Sequence, residues 1–483
     1  MKTTLTALAV AALLLAGCAD MKNIGPTAQL RDAAEFGLPA AAANTDTQAL
    51  GPAADWWTGF GDPQLDRLVA DALAGNPNLG VAAARVAKAQ AGVALARSAD
   101  LPQVNGALDL NRQKFSSNYI YPAPLGGSTV NMGNLQASAS WELDFFGKHS
   151  GELAAAVGQV RAAEAERDAA RVLLASNVTR TYLQWARLLS QREVAEHTLK
   201  QRQQMLVLVQ DRVKAGLDNQ LEVRQNETGR ADTRTSIAAL NQQIDASRNA
   251  LAALLGRAGL PEGISPPQLA RFKAMAVPSE LSADWLGRRA DIVAARWRVE
   301  SARGEVQVAR AQFYPNINLT AFVGFQSLGF DNMLKSGSAQ WGVGPAIRLP
   351  IFEGGRLRAN LRGKSADVDA AIESYNATVI DAMRDAADQS QGVQAIALQQ
   401  REQAVALRAA EGAYDIAQQR YKAGLGTYLH VLSAETAVLA QRRQQVDLAA
   451  QALLGQVGLA QAMGGGWQPS PEQAVVQSQA KAY

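Results

Sequence analysis

One cysteine and three histidines are the residues of this chain best suited to covalent or metal chemistry. The histidines, His149, His197 and His430, lie far apart in sequence and lack the spacing of metal ligands, so we expect no metal site within one chain. The sequence shows no Ser-His-Asp arrangement and no phosphate-binding glycine loop. We therefore predict a protein that is not an enzyme and that needs no cofactor.

Cys18 lies where an export signal would be cleaved. Residues 5–16 follow a positively charged start and form an apolar run that is too short for a membrane helix. The sequence Leu-Ala-Gly before Cys18 resembles a lipobox. We predict that residues 1–17 are a signal peptide and that Cys18 carries acyl chains such as palmitate. The alternative is a plain secretory signal with a chance cysteine. Ala19, directly after the cysteine, favours sorting to the outer membrane.

Composition and charge exclude several classes of protein. The net charge is +3 over 483 residues, and no basic stripe with interleaved aromatic residues is present, so a nucleic-acid partner is not expected. After the signal, no apolar stretch looks long enough for a membrane helix. Any membrane-spanning part is therefore expected to be a β-barrel.

The chain contains an internal duplication with a period of about 208 residues. Residues 212–228 and 420–436 are identical at nine of seventeen positions. We predict a lipidated N-terminal segment, a first repeat, a linker, a second repeat and a C-terminal tail. Their expected bounds are residues 18–61, 62–259, 260–284, 285–463 and 464–483.

Each repeat is expected to contain a helix, two strands and a long helical hairpin. The strand predictions rest on alternation, as in residues 317–325, where all odd positions are apolar and the even positions include Asn318 and Thr320. Sevenfold spacing, as in Leu199 and Leu206, indicates close supercoiled helices. The predicted strands are residues 104–114, 133–146, 316–328 and 338–352, and the predicted hairpins are residues 148–256 and 355–463.

Four strands in one chain are too few to close a membrane barrel, which needs at least about eight. Open sheet edges would be left unsatisfied in lipid. The barrel must therefore be shared between copies of the chain. Two copies would supply the minimum number of strands, and three copies would supply about twelve. The fold class is a mixed α and β membrane protein.

Three further motifs are distinctive. They are Trp56-Trp57 with Asp62-Pro63, Arg288-Arg289-Ala290-Asp291-Ile292, and Pro350-Ile351-Phe352 with Gly354-Gly355. On these motifs, most of the mature chain resembles the TolC-like outer-membrane efflux factors, and more narrowly their lipoprotein (NodT-like) branch. Ala290 departs from the proline that the family usually has there.

The resemblance implies a homotrimer with one shared twelve-stranded barrel and a long coiled-coil periplasmic tunnel. Such a channel is the passive exit duct of a tripartite efflux pump for small molecules, lies in the outer membrane and extends into the periplasm. Its partners are a periplasmic adaptor (membrane fusion) protein and an inner-membrane transporter of the RND type. Outer-membrane lipid surrounds the barrel.

The repeated Arg-x-Lys-Ala-Gly-Leu motif is the best candidate site. In the family it lies at the periplasmic tip, where the adaptor packs. The alternative is that the glycines only turn the chain and the basic residues only solvate helix ends. The predicted docking residues are Arg212, Lys214, Gly216, Arg420, Lys422 and Gly424.

The resemblance also implies a gate near the tip. At the positions where relatives carry carboxylates, this chain has His430 and Ser433, and the first-repeat equivalents are Glu222 and Gln225. Three histidines near one axis would repel each other when protonated, below roughly pH 6.5. The alternative is that His430 packs against a neighbouring helix, in which case Glu222 becomes the stronger candidate.

Two other functions fit parts of the pattern. A structural coiled-coil envelope lipoprotein would explain the helices but neither the four alternating strands nor the junction at Pro350. A type I protein-secretion duct would share the whole fold. The lipobox at Cys18 favours small-molecule efflux over protein secretion.

Overall fold

The structure is a computed structural model that describes residues 21–31, 35, 52–275 and 283–468. The predicted signal peptide, Cys18 and tail residues 469–483 lie outside the described residues. The described chain divides into two compact units, which are treated separately. The first contains residues 21–30, Arg85–Ala163 and Ala294–Tyr375, and the second contains the remaining described residues.

Long helices and one sheet account for most of the described chain. In chain order the elements are α1 Pro63–Gly75, α2 Pro77–Ser98, β1 Gln103–Lys114, β2 Thr129–Glu142, α3 Lys148–Lys214, α4 Gln220–Leu254, α5 Ala290–Ala311, β3 Asn316–Leu328, β4 Ala339–Arg348, α6 Arg356–Lys422 and α7 Tyr428–Ala462.

The two helical hairpins have the same dimensions. Helices α3 and α6 each contain 67 residues, and α4 and α7 each contain 35. Each helix of the second hairpin lies about 208 residues after its counterpart, which is the period of the sequence duplication. The duplication therefore extends to the length of every helix in the hairpins.

The four strands form one antiparallel sheet in the order β1-β2-β3-β4. This confirms the predicted four strands per chain, but the predicted bounds of two strands are wrong. Strand β2 is Thr129–Glu142, so it starts and stops earlier than predicted. It stops early because the carboxylate of Asp144 accepts hydrogen bonds from the backbone N–H of Lys148 and Ser150 and so begins α3. Strand β4 ends at Arg348 rather than at 352, since Pro350 has no N–H to donate to a neighbouring strand.

The strand register collects apolar side chains on one face of the sheet. Leu135 lies opposite Phe325, and Val323 lies opposite Trp341, so their side chains share a face. Several of these side chains are largely exposed in the single chain; Trp341 is 76% exposed. The opposite face is mainly polar. The apolar face comprises Val104, Leu108, Leu110, Leu135, Ala137, Ala139, Trp141, Ile317, Leu319, Ala321, Val323, Phe325, Trp341, Val343 and Ile347.

The helix that the sequence predicts at the start of the first repeat is two helices rather than one. The α1 helix ends at Gly75, and Pro77 begins α2, because proline lacks the N–H that a continuing helix needs. The Asn76 side chain caps the break by accepting from the backbone N–H of Asn78 at 2.8 Å. Asp62 starts α1 by accepting from the N–H of Gln64 at 2.8 Å.

Helix α2 also corrects an expectation about membrane helices. By length and composition alone, it is the one helix in the described ranges that could cross a membrane. Alanine and valine give this helix its apolar composition although it also carries Arg85 and Lys88. The expectation that no such stretch follows the signal was therefore wrong for residues 77–98.

Each unit has its own apolar core. In the first, α5 and α6 pack through Val299, Val306, Leu361 and Val368. In the second, one cluster surrounds Tyr182 and Leu251 near α1, and Trp56 packs there edge-on against Phe60. A separate cluster near the hairpin turns contains Met205, Leu206, Val209, Val223, Tyr414, Tyr421, Tyr428, Val431 and Val438.

The sheet register predicts different effects for charge on its two faces. Val343→Arg places a cation on the apolar face and should cost about 2–4 kcal/mol of insertion free energy near the middle of a bilayer. Gln340→Arg is the matched control on the opposite face of the same strand. The measurement is the fraction of folded protein recovered from outer membranes. Equal recovery of both variants would contradict the assignment of the apolar face to lipid.

Candidate functional site

Two turns of the same geometry close the helical hairpins. Gly216 and Gly424 follow α3 and α6 in left-handed conformation, with φ of 70° and 76°. After α3, the N–H of Leu217 donates to the carbonyl of Arg212 at 2.9 Å, and the N–H of Gly216 donates to Val213. The second turn repeats both bonds. This is the Schellman motif, and it explains why both copies keep glycine at this position.

The first turn is joined to the second hairpin by a polar network. Asp218 lies in the first turn and pairs with Arg212 at 2.8 Å between Oδ2 and Nε. The hydroxyl of Tyr421, near the end of α6, donates to the same carboxylate oxygen. The guanidinium of Arg212 also lies 4.7 Å from the centre of the Tyr421 ring. Asp218, Arg212 and Tyr421, here called the turn triad, therefore connect the two repeats.

The turn triad shifts the pKa of all three groups. Burial raises the pKa of Asp218. The hydrogen bonds from Arg212 and Tyr421, together with the charge of Arg212, lower this pKa by a larger amount, so the net shift is downward. The hydrogen bond to Asp218 raises the pKa of Arg212. Burial, followed by the bond to Asp218, raises the pKa of Tyr421. The contribution of Asp218 to stability is therefore present above its ordinary pKa of 3.8 and is lost as pH falls through the lower folded value.

A second buried ion pair lies farther from the turns. Arg202 on α3 and Glu435 on α7 pair at 3.0 Å, and their side chains are 11% and 10% exposed. The same guanidinium donates to the carbonyl of Gly229 and to the hydroxyl of Thr233 on α4. One arginine therefore links three helices, and its desolvated charge is compensated from two sides.

The predicted docking residues differ in accessibility. The side chain of Lys214 is 77% exposed and lies 3.3 Å from Asp211. Lys422 and Arg420 are also exposed, and Arg420 donates to the carbonyl of Leu425. The side chain of Arg212 is only 13% exposed, because it is held in the turn triad. The accessible positive charge at the turns therefore comes from Lys214, Arg420 and Lys422.

The predicted gate residues lie at the starts of α4 and α7. Glu222 belongs to a capping box, since its carboxylate accepts from the backbone N–H of Asn219 at 3.2 Å. His430 occupies the equivalent position of α7, is exposed, and has Nδ1 3.3 Å from the hydroxyl of Thr427. Ser433 is exposed and Gln225 is half-buried. The position of all four relative to a pore stays a prediction, because the pore needs several chains.

The side chains around the turns join helices and present positive charge to solvent. Within the ranges that the structure describes, no group of three or more His, Cys, Asp or Glu residues could hold a metal ion. Of the three histidines, His149 is buried and lies 3.1 Å from Asp100. His197 lies 3.5 Å from Arg442.

Sequence reasoning missed Asp218 and missed both members of the Arg202–Glu435 pair. Asp218 stands where the second repeat has Gly426, so the unmatched charge in one repeat was an available signal. Glu435 aligns with Glu227, which pairs with the exposed Arg224. The repeat comparison therefore gave no signal for the second pair.

Comparisons with known proteins agree with the fold. A model of the outer membrane efflux protein family matches residues 68–257 and 281–465. The fusaric acid resistance protein FusA of Burkholderia cepacia is 40% identical over 370 residues, covering 75% of this chain and 69% of that protein. The putative multidrug resistance outer membrane protein MdtQ of Escherichia coli (strain K12) is 31% identical over 467 residues, covering 94% and 96%.

A solved structure extends the similarity to three dimensions. The outer membrane protein VceC of Vibrio cholerae is 34% identical, with a TM-score of 0.79. The match covers 86% of this chain and 100% of that one. The similarity therefore includes both the sheet and the long helical hairpins.

The turn triad predicts a local and pH-dependent contribution to stability. Asp218→Ala removes the acceptor shared by Arg212 and Tyr421 and should lower the opening free energy of the turn by about 2 kcal/mol at neutral pH. The effect should begin to fade as pH falls below 3.8 and should be lost as pH falls through the lower folded pKa of Asp218, where the wild-type carboxylate is protonated too. Amide hydrogen exchange of residues 215–219 measures it. Asp211→Ala, at an exposed ion pair, is the control, and equal effects of the two variants would refute a special role for Asp218.

Proposed function

Because this chain belongs to the outer membrane efflux protein family, we propose that three copies of it form the channel of a tripartite pump. The chain itself is an outer-membrane exit duct for efflux. The observation that carries the proposed trimer is the sheet. Its apolar face is exposed, and within the described chain no strand pairs with the outer edge of β1 or of β4. Three chains would pair those edges and give about twelve strands.

The order of helices in the second unit also supports a ring of copies. Helix α3 hydrogen-bonds to α4 through Arg192 and Asn241, and it pairs with α7 through Arg187 and Asp447. Helix α7 in turn bonds to α6, where Gln403 donates to the carbonyl of Gln441 at 2.7 Å. These bonds favour the order α4-α3-α7-α6 along the layer, and near the turns Asn226 of α4 also donates to the hydroxyl of Tyr428 on α7. In a ring, α6 of one copy would meet α4 of the next.

The outward faces of α6 and α4 are complementary in side-chain size. Helix α6 carries an exposed apolar stripe of Ile380, Leu398, Val405 and Ile416, spaced by whole numbers of helical turns. Helix α4 exposes small residues at helical spacing. These are Ala231, Ala238 and Ala246. Large side chains packing over small ones is the arrangement of close helix pairs, and it would remove the exposed stripe from water.

The trimer predicts that the α6 stripe is needed for assembly. Leu398→Glu places a charge in the contact with the next copy and should convert trimers to monomers in mild detergent, because a buried unpaired charge costs several kcal/mol. Gln399→Glu adds the same charge one residue away, rotated by roughly 100° around the helix. Native mass measurement gives the ratio of trimer to monomer. An undiminished trimer of the Leu398 variant would exclude this contact.

The exposed lysines at the turns support the proposed docking of a periplasmic adaptor. Lys214 and Lys422 occupy the same place in the two repeats, so a trimer would present six such positions in a ring. A protein with acidic side chains at matching spacing would be attracted to that ring. The inner-membrane partner is proposed to be a transporter of the RND type, which supplies the energy. The channel itself catalyses no reaction.

Adaptor docking at the turns predicts a loss of export without a loss of assembly. Lys422→Glu should make cells that depend on this channel more sensitive to a pump substrate, while trimers remain intact. Lys335→Glu changes an exposed lysine in the loop between β3 and β4 and should leave sensitivity unchanged. Drug susceptibility of a host without its own exit ducts is the measurement. Wild-type resistance in the Lys422 variant would remove this residue from the docking surface.

We further propose that acyl chains on Cys18 anchor the mature chain to the outer membrane. Several acyl chains on one residue hold a protein to a bilayer more stably than one chain does. Since Cys18 is the single cysteine of the sequence, acylation would leave the mature protein without a free thiol. Thiol labelling of the purified protein therefore tests the anchor directly.

A further inference from the structure

An extended segment near the N-terminus lies against the helices of the first unit. Met21, Ile24, Ala28 and Leu30 pack against the core cluster that α5 and α6 form through residues such as Val299 and Val368. The intervening residues 22, 23, 25, 26, 27 and 29 are exposed. We call residues 21–30 the docking strap. Its apolar side chains attach it to the unit by burial.

One carboxylate on α6 holds the backbone of the docking strap. Oδ1 of Asp369 accepts from the N–H of Thr27 at 2.7 Å and from the N–H of Ala28 at 2.8 Å. Oδ2 of Asp369 accepts from the hydroxyl of Thr27 at 3.2 Å. Both oxygens are therefore used by two consecutive residues that lie more than 300 positions earlier in the chain.

The contact has the character of a binding site rather than of an incidental surface bond. The hydrogen bonds lower the pKa of Asp369, the bond from Ala28 most strongly, which means that they favour its charged form. Charge-assisted bonds to backbone N–H groups are stronger than bonds between neutral groups. Asp367, two residues earlier on α6, is 65% exposed and lies 3.7 Å from Lys364. Asp369 thus differs from Asp367 in accepting hydrogen bonds from the strap backbone.

The length of chain before the docking strap limits where the acyl group can lie. Three peptide steps separate Cys18 from Met21, so their Cα atoms are at most about 11 Å apart. Nine steps separate Cys18 from Thr27, which gives a limit of about 32 Å. An anchor on Cys18 is therefore confined to the neighbourhood of α5 and α6 as long as the strap stays bound.

We propose that the surface formed by Asp369 and the α5–α6 core is the docking site for the lipid-bearing N-terminus of this chain. The site holds the acyl anchor against the unit that contains the sheet, so that the lipid and the sheet enter the membrane as one body. Asp369 is the positioning residue, because it binds the strap backbone irrespective of most strap side chains. The placement of the lipid rests on the proposed acylation of Cys18, whereas the binding of the strap to Asp369 is measured separately.

A spin label at position 25 measures the docking. Gly25→Cys adds a side chain where no other atom lies within 4 Å, so a label there should not disturb the strap. The full-length protein is purified as the trimer and labelled with a nitroxide. Asp369→Ala is compared with Asp367→Ala, the matched control. Ala28→Pro is a second test, because it deletes one strap donor without changing α6.

Docking predicts that an ordered backbone restricts the motion of the label in the parent and in the Asp367 variant, and that the label is several times more mobile in the Asp369 and Ala28 variants. The trimer content of each variant shows that the unit remains folded. A label equally restricted in the Asp369 variant would overturn the proposal. An equal increase in mobility in the Asp367→Ala variant would overturn it as well, since the strap would then respond to the loss of any negative charge on this part of α6.

The same reagents separate this proposal from the lipid anchor. Protein without Gly25→Cys should take up no label, because acylation occupies Cys18. Reaction of the label with Cys18 would refute the lipid anchor. The comparison of strap variants would then be repeated in a protein that also carries Cys18→Ser. Loss of docking and loss of acylation therefore give different results.

Discussion

The unpaired backbone groups of β1 and β4 are the constraint on which the rest of the structure depends. Both strands lie at an edge of the four-stranded sheet, and the strand register collects the apolar side chains on one face. Water would satisfy the edge groups, but hydrocarbon supplies no donors or acceptors. A sheet of this kind is stable in a membrane only if other copies complete it. The helices that follow the strands must then pack from copy to copy as well.

The duplication supplies matching frameworks, and the differences between the repeats connect them. Both hairpin turns are held by the same backbone bonds around a left-handed glycine, so their geometry does not depend on the variable side chains. Divergence at Asp218 and Tyr421 adds a polar link between the two hairpins. Arg202 and Glu435 form a second buried link. The first link uses an acid that only the first repeat has at its position and a tyrosine that only the second repeat has at its position.

Carboxylates serve here mainly to hold backbone and helices in place. Asp144 starts α3, Glu222 closes a capping box and Asp369 binds the docking strap, in each case by accepting from backbone N–H groups. Such groups are left over wherever a helix begins or an extended segment runs beside one. The placement of these acids therefore follows from the unsatisfied donors of the fold.

Patterns within the sequence determined the strands, the long helices and the turn glycines, because each of these depends on neighbours close in the chain. The number of strands then determined the need for several copies, because four strands are too few to close a barrel. Alternation in residues 317–325 indicated the apolar face, and the repeated Gly216 and Gly424 indicated the turns. The break at Asn76 and the cap at Asp144 were local but subtler signals. Only the tertiary structure decided which charges meet. Tyr421 lies 203 positions from Asp218, Glu435 lies 233 positions from Arg202, and Thr27 lies 342 positions from Asp369. Their pairing depends on the rotation and height of whole helices, which no local pattern records.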